Sequence, residues 1–194
     1  TLFGIKFINK YEGIYLRRGE DKVVGTSQTV VTKTSTGDIV ESGDIENING
    51  STVYRAANVV QDDPTKVTTS GKNKGIYTNS VNRPGIVSST VLSLQLVFND
   101  NEEITITNSD VNSPFIVTGT GRFLEDGDEW GGENRDVIYL EYEYQDKEVN
   151  VSTRRFGSET VTSTLDLIHT VKDTLVIRNR DVKFEEFIID LEKK

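Results

Sequence analysis

The segment Arg135–Tyr144, RDVIYLEYEY, constrains the fold more than any other. Ile138, Leu140, Tyr142 and Tyr144 fall on one side of an extended chain, and Val137, Tyr139, Glu141 and Glu143 on the other. That period of two predicts a β-strand with one buried and one half-wet face. The strand is entered from an acidic, glycine-rich loop, EDGDEWGGEN, which holds the only Trp of the chain, Trp130.

Similar signals recur along the chain. Runs rich in Val, Ile, Thr and Tyr predict strands over Tyr11–Arg18, Ser27–Thr34, Thr52–Val60, Val91–Phe98, Glu103–Thr107, Phe115–Phe123, Asp136–Tyr144, Lys147–Arg154, Thr160–Thr170 and Asp173–Arg178. VLSLQLVF, Asn99-Asp100-Asn101 and EEITIT form the clearest hairpin, because Asn and Asp tolerate positive φ between two alternating runs. Asn49-Gly50 and Tyr144–Lys147 are read as two further reversals. Gln61–Pro84 is polar, with Val67, Ile76 and Tyr77 to bury, and is read as a long loop. Phe184, Phe187, Ile188 and Leu191 fit a C-terminal helix, while Phe187, Ile189 and Leu191 fit a strand equally well. The expected fold is a single all-β, antiparallel domain over residues 1–194, a barrel or a sandwich.

Composition then removes functions. With no Cys and one His, the chain can build neither a disulfide scaffold, a Cys/His zinc site nor a Cys nucleophile. A net charge of −9, without a basic patch, argues against nucleic acid or anionic lipid as partner. Arg17-Arg18 and Arg154-Arg155 lie on expected strands, where neighbours point to opposite faces. No apolar run reaches the roughly 18 residues a membrane-spanning helix needs. The chain starts on Thr without a signal-peptide pattern and contains no Met, which reads as a piece of a longer precursor.

Of the chemistry-bearing residues, the acidic loop comes first. Glu125, Asp126, Asp128, Glu129 and Glu133 invite a calcium reading. The spacing fails: counted from Asp126, an EF-hand needs Asp or Asn at the fifth position and Glu at the twelfth, where Trp130 and Val137 stand. No metal and no cofactor is therefore expected. Trp130 has two readings. As a stacking platform it would meet a sugar face, with Asp128 and Glu129 accepting hydroxyl hydrogens and Gly131-Gly132 letting the backbone approach. As a plug it would fold back over one end of the sheet. His169 lies opposite Asp166 on its strand and no GxSxG elbow exists, so no catalytic residues are assigned and the chain is expected not to be an enzyme. Gly119-Thr120-Gly121 reads as a bulge or bend, since no helix and no Lys-Ser/Thr comes after it.

Four segments in order, NKYEGIYLRRG (9–19), VTGTGRF (117–123), RDVIYLEY (135–142) and DTLVIRNRDVKFE (173–185), resemble the C-terminal β-domain of unknown function found in Bacteroidetes surface lipoproteins. The resemblance covers most of the chain and is weakest over residues 20–115. It implies a lipocalin-like β-barrel, which leaves the β-sandwich as the alternative fold, an immunoglobulin-like domain ahead of it, and export to the outer membrane surface or periplasm through a lipid anchor outside these residues. It supplies no catalytic residues. The expected role is non-enzymatic binding of glycan through Trp130, Asp128 and Glu129. The alternatives are a docking module for partner proteins and a carrier of a small apolar ligand.

Overall fold

In the computed structural model, residues 7–83 and 90–180 are described, and nearly all of their ordered structure is strand. β1 (Gly13–Lys33), β2 (Ile39–Ser42), β3 (Glu46–Tyr54), β4 (Asp63–Gly71), β5 (Lys74–Ser80), β6 (Val91–Phe98), β7 (Glu103–Asn108), β8 (Ile116–Trp130), β9 (Glu133–Arg154) and β10 (Glu159–Asn179) make one sheet. All pairings are antiparallel. The order β10-β9-β8-β7-β6-β5-β4-β1 returns to its start because β1 also pairs with β10, so the sheet closes into a ring. Closure satisfies both edges of β1, which a strand at the margin of an open sheet could not achieve.

The predicted alternation sets what lies inside. Ile138, Leu140, Tyr142 and Tyr144 of β9 point inward and meet Leu94, Leu96 and Phe98 of β6, Ile104 and Ile106 of β7, and Val171 and Leu175 of β10 in one continuous core. Each fully buried side chain of this size adds about 1.5–3 kcal/mol of transfer free energy. Gly119 explains how β8 packs so closely: a Cβ there would lie 2.4 Å from the Cβ of Tyr142. No register shift occurs at Gly119–Gly121, so these glycines serve close approach instead of the expected bulge. The irregularity lies just beyond, between Leu124 and Asp128.

Several boundaries differ from expectation, each for a physical reason. Tyr11–Arg18 and Ser27–Thr34 belong to one strand of 21 residues, because β10 pairs with it along its whole length. Asn49-Gly50 is no reversal: it sits inside β3, opposite Val24 and Val23. Tyr144–Lys147 is no reversal either. Asp146, which looked like a turn residue, points inward and is held by two hydrogen bonds from Arg83, at 2.6 and 2.7 Å. Thr160–Arg178 is one strand, and Lys172 in its middle faces outward to Glu141 at 3.0 Å. Gln61–Pro84 holds β4 and β5, joined by a two-residue turn at Lys72-Asn73. Both strands are short and keep a polar outer face, which hid them. The segment over Phe184–Leu191 lies outside the described residues.

β1, β9 and β10 outrun the ring. β8 pairs with β9 only as far as Ile116↔Gln145, whereas β9 stays paired with β10 to Arg154↔Glu159. Beyond that level the sheet continues as a ribbon, with β3 and β2 on the other edge of β1. Its apolar centre is small: Val23, Leu165 and Leu167, with Ile48 packed against them.

Candidate functional site

The acidic loop proves to be the tip of the β8–β9 hairpin. Trp130 pairs with Glu133 across a two-residue turn in which Gly131 and Gly132 have φ of 67° and 78°. Two consecutive positive φ values are the requirement of a type I′ turn, and glycine meets it without strain. Below the tip, Glu125, Asp126 and Gly127 bulge out of the ladder, with Asp126 at φ 52° and its N–H donating to the Asp136 carboxylate at 3.1 Å. A bulge bends its strand and re-aims the residues beyond it. The bulge thus separates the hairpin tip from the regular ladder below it.

The ladder sorts the tip residues onto two faces. Asp128↔Arg135 and Trp130↔Glu133 place these four side chains together. Glu129, paired with Asn134, lies on the opposite face, so the three residues singled out from sequence do not form one cluster. Trp130 is half-buried, and the Arg135 guanidinium stands 5.1 Å from its ring. Arg135 is itself held by Glu133 at 2.8 Å and donates to the Arg178 carbonyl at 3.3 Å. Asp128 and Glu129 are exposed.

Trp130 therefore does not plug the ring. Tyr11 does, packing against the core with its ring stacked on Phe98 at 3.6 Å and edge-on to Phe123 at 4.9 Å. A cleft of about 520 Å³ opens beside this cap and is lined by Lys10, Tyr11, Phe98, Glu102, Phe123 and Glu125. Lys10 and Glu125 meet at 2.5 Å across it. Their hydrogen bond raises the Lys10 pKa and lowers that of Glu125, yet both side chains are more than half exposed, so the pair adds little to stability.

Two buried polar groups gave no signal at the level of local pattern. Asp173 accepts from Arg17 Nε at 2.9 Å and from the Tyr77 and Tyr142 hydroxyls at 3.0 and 3.1 Å. Burial pushes its carboxyl above the usual range, while Arg17 and the two hydroxyls pull the other way. His169 is fully buried, stacked on Tyr144 at 4.2 Å, with Nδ1 3.0 Å from Asp21 Oδ1. That burial makes this His structural, and the acid it meets is Asp21 of β1. A longer-range signal was available: Arg17, Asp21, His169 and Asp173 all occupy positions that alternation assigns to the inner face. Among the described residues no three His, Cys, Asp or Glu side chains converge as a metal site.

The fold has a solved counterpart. A Bacteroides ovatus protein of unknown function is similar with a TM-score of 0.59 and 22% identity, over 92% of this chain and 45% of that one. This chain thus spans less than half of that protein. A multidomain protein including DUF1735, also from Bacteroides ovatus, aligns at TM-score 0.34 and 10% identity, over 85% of this chain and 58% of that one. An auxiliary nutrient binding protein from Bacteroides thetaiotaomicron aligns at 0.30 and 11%, over 85% and 47%. Neither of the last two is close enough to carry an argument. No curated protein matches. The profile of the domain of unknown function DUF5627 matches residues 10–181, and the chain belongs to that family.

Proposed function

We propose that this domain is a non-enzymatic binding module of the cell surface or periplasm, with glycan as its ligand and the β8–β9 hairpin as its contact. The observation that carries this reading is the placement of Trp130. Its ring stays out of the core, partly exposed at the tip of a hairpin, with Arg135 over it and Asp128 and Glu133 beside it. An aromatic face backed by a cation and flanked by carboxylates suits a sugar ring, which has both C–H surface to stack and hydroxyls to donate. Asp128 shares that face; Glu129 would reach only a ligand long enough to wrap the hairpin edge. The lone His169 supports the non-enzymatic part, being sealed from solvent with Nδ1 committed to Asp21. Export as a lipoprotein, a lipocalin-like barrel and a preceding immunoglobulin-like domain are supported by the resemblance to Bacteroidetes surface lipoproteins. Cell fractionation of the full-length protein tests export, and recovery in the cytosol would exclude it.

Docking of a partner protein has one observation in its favour. Among the described residues, no strand pairs with the outer edge of β9 from Asp146 to Arg154, where Val149 and Val151 are each 64% exposed. Such an edge is a template for an added strand. The carrier reading has less support, since the inward positions are filled by packed side chains. The glycan reading is tested by surface plasmon resonance on immobilised polysaccharides, comparing wild type with Trp130→Ala. Equal binding of the two proteins would exclude the hairpin as the contact.

A further inference from the structure

The wall of the ring has a window. β4 and β5 pair from Gly71↔Lys74 up to Val67↔Tyr77 and then part company. Residues 63–67 of β4 follow β1, opposite Arg17–Gly13, while Thr78, Asn79 and Ser80 of β5 follow β6. On β1 the same level is a change of partner, from β4 at Arg17↔Asp63 to β3 at Gly19↔Tyr54. Where strands diverge, a cleft opens, here of about 320 Å³, with Asp63 and Thr65 on one wall, Thr78 and Asn79 on the other, and Tyr54 and Arg17 beside them. That volume lies at the lower end of the range for small-ligand sites.

Arg17 marks the window as more than a gap. It is only 6% exposed, and two of its nitrogens are satisfied, Nε by Asp173 at 2.9 Å and Nη1 by Asn79 Oδ1 at 2.5 Å. Nη2 is buried without a hydrogen-bond partner. A charged donor left so is costly, and such a group calls for an explanation. The Tyr54 ring lies over the guanidinium at 3.9 Å and is itself half-buried at the cleft, so the π face of this ring is what Arg17 meets there, and a ligand that shifts the ring reaches Nη2. Asn79 is fixed between Arg17 and the Tyr142 hydroxyl, at 3.4 Å from the latter.

We propose that this window is a second binding site, taking one uncharged sugar residue or a similar small polyol. The charge balance selects the class. The Arg17 cation is already met by Asp173, and the exposed Asp63 leaves the cleft with a net negative charge, so an anionic ligand is disfavoured. A polyol can accept from Arg17 Nη2, donate to Asp63, exchange hydrogen bonds with Thr65 and Thr78, and lay its C–H face on Tyr54. This inference rests on the glycan reading above, but it uses other residues.

Titration calorimetry and saturation-transfer NMR on the intact protein test it, with the methyl glycosides of glucose, galactose and mannose as neutral probes and glucuronate as the anionic one. At least one neutral glycoside should bind saturably. Tyr54→Ala and Asn79→Ala should each weaken it about tenfold or more, the cost of one lost stacking face or hydrogen-bonding group. Val151→Ala, on the far ribbon, should leave it unchanged, and thermal melts should show both site variants folded. Binding of glucuronate alone would overturn the proposal, as would neutral binding that survives both site variants. If Trp130→Ala alone abolishes the signal, the window falls and the hairpin stands. If no probe binds, the window falls, and the hairpin still answers to the polysaccharide measurement.

Discussion

Two stretches of β9 and its neighbour β10 behave differently. Inside the ring, β9 and β10 bury Ile138, Leu140, Val171 and Leu175 almost completely. Further along, in the ribbon, Val149 and Val151 of β9 stand exposed on the opposite, outward face. The register runs on without a shift, but the inward positions of β9 turn polar, at Glu148 and Asn150, where β4 to β8 no longer lie across from them. Burial, and therefore stability, is set by tertiary neighbours, while the parts that outrun them are free to display side chains. The β8–β9 hairpin obeys the same logic at its tip.

The sharpest way to break this contrast is to leave a charge unmatched inside the ring. Arg17→Met strands Asp173 in the interior and should cost about 3–5 kcal/mol in urea unfolding, whereas the double change with Asp173→Leu should recover much of it. Next is a paired truncation: Leu140→Ala should cost about 2–5 kcal/mol, because it opens a cavity in a packed core. Val151→Ala, on the same strand in the ribbon, should stay within about 0.5 kcal/mol. Equal costs at these two positions would mean that the ribbon is packed in solution.

How legible this was in the sequence depended on what each residue type usually signals. The β9 alternation marked the inner face correctly from Ile138 to Tyr144, since apolar residues at period two have few other uses. Asp146 seemed to end that strand because Asp normally marks turns, and only the distant Arg83 makes it an inward residue. Asn49-Gly50 failed in the same way, its turn preference overridden by pairing with β1. At the hairpin, the acidic, glycine-rich loop was visible, but its two-residue turn and the split of Glu129 from Trp130 needed the register. The Arg17–Asp173 pairing spans 156 residues of sequence, and no local pattern announces it.

The smallest expected effect concerns pH. Asp173 has a raised pKa in the folded protein, chiefly from burial, so the folded state holds a proton that the unfolded chain has already released. Stability from this group is greatest below the ordinary carboxylate value and falls as pH rises from there through the raised folded value. Comparing denaturant midpoints of wild type and Asp173→Asn across that window should show a decline with rising pH in the wild type alone. The same decline in both proteins would assign it to another carboxyl.

The proposed binding role depends on a hairpin that displays its Trp instead of spending it on the core. A glycan array probed with wild type and with Trp130→Ala, both checked as folded by thermal melting, tests this most directly. The expected result is wild-type binding to at least one glycan, lost in Trp130→Ala, with the unfolding free energies of the two proteins within about 1 kcal/mol of each other, as for a residue outside the core. A folded wild type that binds no glycan, or a Trp130→Ala protein that melts far lower because the ring was structural, would contradict it.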